Sequence, residues 1–203
     1  MAGRPVLHIL AGPNGAGKST LYSLVLRHAL AGEFVNADLL AFQALGHHAL
    51  TLEEAQLGQR LANERRDALI AEGQSLVTES TFSHSSKLDL LRRAKALGYE
   101  VDVYHVNVAT VDQALGRVAS RTELGGHPVP EDKLRGRYER NPALIREAVL
   151  LADVGHVFDN SRIGVRPRLL ITFIAGRPGL VAPDLPGWAR ELYGTDLGPR
   201  AVG

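Results

Sequence analysis

Cysteine is absent from the 203 residues, which excludes a disulfide, a thiolate nucleophile and any zinc site built on cysteine. Aromatic residues amount to 5%, little material for stacking nucleic-acid bases. A surplus of one charge is also missing: 23 basic residues face 22 acidic ones, and a net charge of +1 argues against a protein that coats nucleic acid. No stretch approaches the about 20 uninterrupted apolar residues of a membrane-spanning helix. The apolar run from Pro5 to Ala11 is too short for the hydrophobic part of a secretory signal, so the expectation is a cytoplasmic protein without membrane contact. Lysine is scarce, four residues against 19 arginines, and arginine is the better bidentate clamp for phosphate; a GC-rich genome would leave the same bias. What remains, 45% hydrophobic and 22% charged residues, is an ordinary globular composition. At about 150 residues per domain the length fits one domain with an appendage.

Strand-length apolar runs fall at Val6 to Leu10, Glu33 to Asn36, Ser75 to Thr78, Glu100 to Val108 and His156 to Phe158. Between them lie stretches of helical periodicity: Lys18 to Ala31, Leu52 to Ala71, Ser85 to Leu97, Val111 to Arg121, and Glu131 to Ala152 with a break or kink at Asn141-Pro142. Gly32, Gly73 and Gly98 follow three of these helices, and Thr110 stands where an N-cap belongs. Regular alternation predicts an α/β, three-layer fold with a mostly parallel five-stranded sheet and helices on both faces. After Asn160 the pattern changes to an antiparallel strand, Arg168 to Ala175, and a Pro/Gly-rich tail that Trp188 anchors. The expected division is a domain over 1–160, with a lid at about 117–140, and a strand and tail over 161–203 packed on it.

Gly12-Pro13-Asn14-Gly15-Ala16-Gly17-Lys18-Ser19 fits the Walker A pattern, follows a predicted strand and opens a predicted helix. Its glycines let the backbone curl so that successive N–H groups point inward, and the helix N-terminus adds its dipole. ATP is the implied ligand, held by Gly12, Asn14, Gly15, Ala16, Gly17, Lys18, Ser19 and Thr20. Lys18 would reach the β- and γ-phosphates and Ser19 would hold Mg²⁺. The chain has no guanine-reading Asn-Lys-x-Asp, no Leu-Ser-Gly-Gly-Gln and no apolar run ending in Asp-Glu, which favours a small kinase among P-loop proteins.

In an open parallel sheet ligands bind beyond the carboxyl ends of the strands. The second strand ends at Asn36-Ala37-Asp38, where Asp38 either takes the proton of an acceptor hydroxyl or caps the next helix. The third ends at Thr78-Glu79-Ser80-Thr81, where Glu79 and Thr81 suit an acceptor or a water on Mg²⁺, and the hydroxyls equally suit capping. The fifth ends at Asp159-Asn160-Ser161, placing Asn160 near an adenine edge. On the long helix, Leu57, Leu61, Ala68 and Ala71 outline an apolar stripe that encloses Glu64. A carboxylate there meets an arginine or faces a polar cleft as an acceptor ligand.

Arg117 and Arg121 stand i, i+4 on one predicted helix and Arg137 and Arg140 on the next, with Gly125-Gly126-His127 between them. The arrangement reads as a lid that closes over ATP, neutralises the transferring phosphoryl group and excludes water, with His127 in reach of the acceptor. The other seven histidines have no metal-ligand spacing.

The ordered set resembles the zeta-toxin family of P-loop kinases: the Walker A segment, Asn36-Ala37-Asp38, Glu79-Ser80-Thr81-Phe82-Ser83, and Gly125-Gly126-His127-Pro128-Val129-Pro130-Glu131 followed by Arg137-Tyr138-Glu139-Arg140. The resemblance covers about Val6 to Asn160 and implies phosphorylation of a sugar hydroxyl of UDP-N-acetylglucosamine by ATP. It implies Asp38 as base, Glu64, Glu79 and Thr81 as acceptor ligands, Arg121 on the γ-phosphate, and a small antitoxin partner. The family's second lid arginine has no direct counterpart, and Arg117, Arg137 or Arg140 would substitute for it. Read from the residues alone, two other functions stay open: a kinase for a nucleoside, another sugar or a polynucleotide 5′-hydroxyl, and a nucleotide-gated binding module without turnover.

Overall fold

Among the described residues, seven strands form one sheet in the order β2-β3-β1-β4-β5-β6-β7. The computed structural model describes residues 3–123 and 131–198. Strands β1 (Val6–Ala11), β2 (Glu33–Val35), β3 (Leu76–Ser80), β4 (Glu100–Asn107) and β5 (Val154–Asp159) are parallel, while β6 (Arg168–Ile174) and β7 (Arg177–Val181) continue the sheet antiparallel. Three-residue β2 forms one edge, and β7, which contains Pro178, forms the other. Alternate residues feed two cores, as expected for strands covered on both faces. Leu7, Ile9, Leu76, Val101, Val103 and Val157 face one, Leu10, Val77, Tyr104, Val106 and Phe158 the other.

The helices are α1 (Lys18–Leu21, continuing as a π turn over Tyr22–Leu26), α2 (Ala37–Leu45), α3 (Leu52–Ala71), α4 (Ser86–Ala96), α5 (Val111–Glu123), α6 (Glu131–Leu151) and α7 (Gly187–Leu197). Two have well-made starts. Asn36 caps α2 by accepting from Leu39 N at 3.0 Å. Thr51 and Glu54 form a reciprocal capping box on α3, Thr51 Oγ1 accepting from Glu54 N and Glu54 Oε2 from Thr51 N.

Several expectations change. The sheet has seven strands where five and an extension were expected, and the tail forms β7 and α7, whose Ala189, Tyr193 and Leu197 join the larger core. Trp188 is half-buried against that core. The helix expected to Ala31 leaves α geometry at Tyr22, where Arg27 N bonds to Tyr22 O, five residues back, at 2.8 Å. Helix α6 runs unbroken through Pro142; the ring removes one backbone bond, and the neighbouring Asn141 turns its amide inward to Thr81 O.

Candidate active site

The five parallel strands end at one edge, and the predicted site segments follow them there: the Gly12–Lys18 loop after β1, Asn36 to Asp38 after β2, Thr81 after β3, and Asn160 after β5. The loop is tied down from three sides. Gly12 N donates to Ser80 O at 3.2 Å, joining it to β3. A Cβ on Gly12 would lie 2.2 Å from Val106 O, and one on Gly15, whose φ is +78°, 2.2 Å from Ala114 O. These approaches explain the glycines, which seat a bare backbone between β4 and α5. Asn160, 6% exposed, supplies the third tie: its Nδ2 donates to Ala16 O at 2.8 Å, and its backbone N–H donates to Asn107 O at 2.8 Å. Arg117 donates to Asn160 O at 2.8 Å, so it braces the loop from the α5 side.

Within the cradle, Lys18 Nζ donates to Gly12 O at 3.0 Å and Pro13 O at 3.2 Å. Gly17 has φ +94° and precedes α1, where Ser19 and Thr20 are exposed. The side-chain oxygen of Asn14 is buried and accepts no hydrogen bond among the described residues. A bare backbone at a helix N-terminus, a lysine resting on the loop's own carbonyls and a hydroxyl at the first turn fit a polyphosphate with its Mg²⁺.

Asp38, the base candidate, is exposed in the first turn of α2. The capping role belongs to Asn36, whose Oδ1 accepts from Leu39 N. Glu79 and Thr81 are half-buried at the end of β3. Thr81 Oγ1 lies 2.7 Å from Ser83 Oγ, and Thr81 O accepts from Asn141 Nδ2. The following residue, Phe82, is fully buried at φ +50°, with its N–H donating to Ser80 Oγ at 3.1 Å. A non-glycine residue in that region costs on the order of 1–3 kcal/mol, and burial of the ring holds the turn that presents Thr81.

Glu64 departs from expectation. The buried stripe of α3 is Gly58, Ala62, Arg66, Leu69 and Ile70, one residue out of step with the expected one, and Glu64 is exposed beside it. Gly58 sets the phase, since its missing Cβ admits Ala37 O at 2.4 Å and brings α2 onto α3. Arg137 is half-buried and Arg140 exposed on α6. The Gly125-Gly126-His127 hinge, the side chain of Arg121 and His127 itself lie outside the described residues.

Sequence reading missed Asn141, Arg66 and a buried polar group between β4 and α7. His105 on β4 is 0% exposed, and its Nδ1 lies 2.8 Å from Tyr193 Oη. Burial pushes its pKa down to about 3, which keeps the imidazole neutral. Trp188 Nε1 donates to Asp159 Oδ1 at 3.2 Å, and Tyr138 Oη to Val108 O at 2.7 Å. The only sequence signal for them was that polar residues interrupted apolar runs.

The family model for zeta toxin matches residues 1–165. The chain belongs to the zeta toxin family. An uncharacterized protein of Haemophilus influenzae is 28% identical over 127 residues, 63% of this chain and 88% of that one. Among solved structures, the PezAT toxin-antitoxin system of Streptococcus pneumoniae is similar with a TM-score of 0.63 at 16% identity, covering 98% of this chain and 82% of that one. The AvrRxo1-ORF1:-ORF2 complex with ATP gives 0.66 at 16%, covering 97% of this chain and 64% of that one, so this chain spans about two thirds of its length. A putative kinase from Chloroflexus aurantiacus gives 0.53 at 22%, covering 68% of this chain and 80% of that one. At these identities the structures establish a shared fold, that of P-loop kinases. Family membership makes this zeta toxin relative a P-loop phosphotransferase that uses ATP. Among the described residues, no helix is long and apolar enough to cross a membrane.

Proposed function

We propose that this zeta toxin family member transfers the γ-phosphoryl group of ATP to a hydroxyl of a nucleotide-activated amino sugar, UDP-N-acetylglucosamine or a close relative. The observation that carries the reading is the common edge of β1, β2 and β3, which sets the Walker A loop beside one exposed carboxylate and one carboxylate-hydroxyl turn. Phosphoryl transfer requires little more than such placement, with charge stabilisation around the moving group.

In this reading the loop from Gly12 to Thr20 holds the triphosphate. Lys18 leaves the carbonyls of Gly12 and Pro13 to stabilise charge on the β- and γ-oxygens, and Asn160 with Arg117 keeps the loop in register. Ser19 would hold Mg²⁺, which when bound neutralises the developing charge on the phosphates. Asp38 accepts the proton of the attacking hydroxyl, while Glu79, Thr81 and Glu64 orient the sugar. Arg121, Arg137, Arg140 and His127 act from the lid side. ATP as donor and a cell-wall precursor as acceptor imply action in the cytoplasm and a protein antitoxin that restrains the enzyme, with the 1–160 unit carrying the chemistry and 161–203 supporting it.

The test is transfer of label from γ-labelled ATP with Mg²⁺ into a panel of UDP-sugars, nucleosides and 5′-hydroxyl oligonucleotides. Label is expected in UDP-N-acetylglucosamine, with turnover lowered about 10³-fold in Asp38→Asn while ATP binding is retained. Lys18→Ala is expected to lose both turnover and tight ATP binding. Label in a different acceptor replaces the substrate; tight ATP binding with no transfer to any acceptor overturns the kinase reading in favour of a nucleotide-gated module.

A further inference from the structure

Asn160, which ties β5 to the Walker A loop, is held through three of its own groups: its N–H by Asn107 O, its carbonyl by Arg117 and its side-chain amide by Ala16 O, each at 2.8 Å. The residues on either side of it are joined as well. Ser161 Oγ donates to Asp159 Oδ1, so one carboxylate oxygen closes the chain around Asn160 in a tight turn. That same oxygen accepts a second hydrogen bond, at 3.2 Å, from Trp188 Nε1 in the first turn of α7. Helix α7 therefore reaches the nucleotide loop through a short chain of contacts, from Trp188 to Asp159, and from the adjoining Asn160 to Ala16.

The helix itself is anchored elsewhere. Tyr193 Oη lies 2.8 Å from Nδ1 of the buried His105, Arg146 on α6 forms an ion pair with Asp196, and Ala189, Tyr193 and Leu197 lie in the larger core. For packing alone, phenylalanine at position 188 would serve: Trp188 meets His105 edge to face with ring centroids 5.5 Å apart, a contact that needs no N–H. The indole adds one, aimed at the carboxylate beside Asn160. Asp159 also lines a cavity of about 310 Å³ between the β5–β6 turn and the start of α7, with Arg162 and Arg166 among its walls. Without the indole its side chain has both room to turn and other groups to turn toward. A hydrogen bond is directional, so Trp188 selects the Asp159 rotamer that closes the turn.

We propose that Trp188 and Asp159 are positioning residues for the nucleotide: by holding the turn at the end of β5 they keep the Asn160 amide on the Walker A loop, and α7 thereby tunes the affinity of the site for ATP. The family model ends at residue 165, so this control lies outside the segment that the model matches. The proposal rests on the Walker A loop as the ATP site and is independent of the acceptor.

The probe is ADP with Mg²⁺, titrated calorimetrically into the full chain. Trp188→Phe keeps a ring and loses the N–H; it is expected to bind ADP about fivefold more weakly, with KM for ATP raised by a similar factor and KM for the acceptor unchanged. Asn160→Ala also weakens ADP, and adding Trp188→Phe to it is expected to bring no further loss, because the indole acts through Asn160. Leu197→Ala removes core packing at the far end of α7 and leaves the link to Asp159 in place, so it is expected to melt lower than wild type and to bind ADP as wild type does. Wild-type ADP affinity in Trp188→Phe, additive losses in the double variant, or a loss in Leu197→Ala as large as that in Trp188→Phe overturns the positioning role while the nucleotide site stands. Absence of ADP binding by wild type overturns the nucleotide site and the positioning role together.

Discussion

Asn160 Nδ2 and Ala16 O stand 2.8 Å apart, a hydrogen bond that joins the end of β5 to the Walker A loop across 144 residues of sequence. The amide is buried and fills the space that a side chain at Gly17 would need, its Nδ2 lying 2.0 Å from the position of that absent Cβ. Asn160→Ala removes the bond and opens a gap beside the loop. The expected cost is about 1 kcal/mol of stability, with ATP affinity lowered about tenfold and KM for the acceptor unchanged. Calorimetric ATP binding together with urea unfolding checks it; unchanged ATP affinity would show that the loop holds its shape without this bond.

Gly12 is as constrained as any residue in the cradle, although its φ is not in the left-handed region. Its substitution by alanine would drive a methyl to 2.2 Å from Val106 O, a backbone atom in a central strand that cannot step aside. Gly12→Ala is expected to lose more than about 2 kcal/mol, in the range of overpacked cores. Gly187→Ala, which meets nothing within 4 Å, should stay within about 0.5 kcal/mol of wild type. Chemical denaturation of the pair measures the contrast.

Asn141 couples α6 to the turn after β3 that is proposed to hold the acceptor. Its amide, 1% exposed, donates to Thr81 O, and Asn141→Leu would leave that carbonyl unmatched at a cost of about 1–3 kcal/mol. The kinetic expectation is selective: a raised KM for the acceptor with KM for ATP near its wild-type value. An equal rise in both constants would mean that Asn141 serves only general stability.

His105 makes stability depend on acidity. It stays neutral in the folded protein down to about pH 3, whereas an unfolded histidine takes up a proton near pH 6.5. Between those values the unfolded chain binds the extra proton, so stability falls as pH drops below about 6.5, by about 1.4 kcal/mol per unit. His156, also depressed by burial, acts in the same direction. Unfolding free energies at pH 7 and pH 5.5 should therefore differ by about 1 kcal/mol more in wild type than in His105→Gln. Parallel pH profiles for the two proteins would contradict this.

The nucleotide side of the site was legible in the sequence because its chemistry demands fixed spacing: glycines, lysine and hydroxyl in one short loop between a strand and a helix. The acceptor side was legible only as strand ends. Glu64 was misplaced because Gly58, which an apolar stripe of leucines and alanines leaves out, is where α3 touches α2, and that contact rotates the buried stripe by one residue. Arg66 was not singled out, since periodicity assigns polar residues to solvent and cannot see its partner Thr78 12 positions away. Asn141-Pro142 suggested a break because local rules weigh the proline alone; packing on β4 and β5 carries α6 past it. The C-terminal β7 and α7 were hidden by prolines and glycines that the elements accommodate: Pro178 and Gly179 lie within the edge strand β7, and Gly187 and Gly194 within α7.

The rims of the sheet bear on how the protein behaves at high concentration. An open strand edge invites a second chain to continue the ladder, the first step toward aggregation. Here β7 contains Pro178, which has no N–H to offer, and Arg177, which carries charge into the edge, while β2 is three residues long. Neither rim offers a long uninterrupted row of donors, so the mainly parallel sheet, slow to assemble and exposed while it does, is guarded at both ends against its own copies.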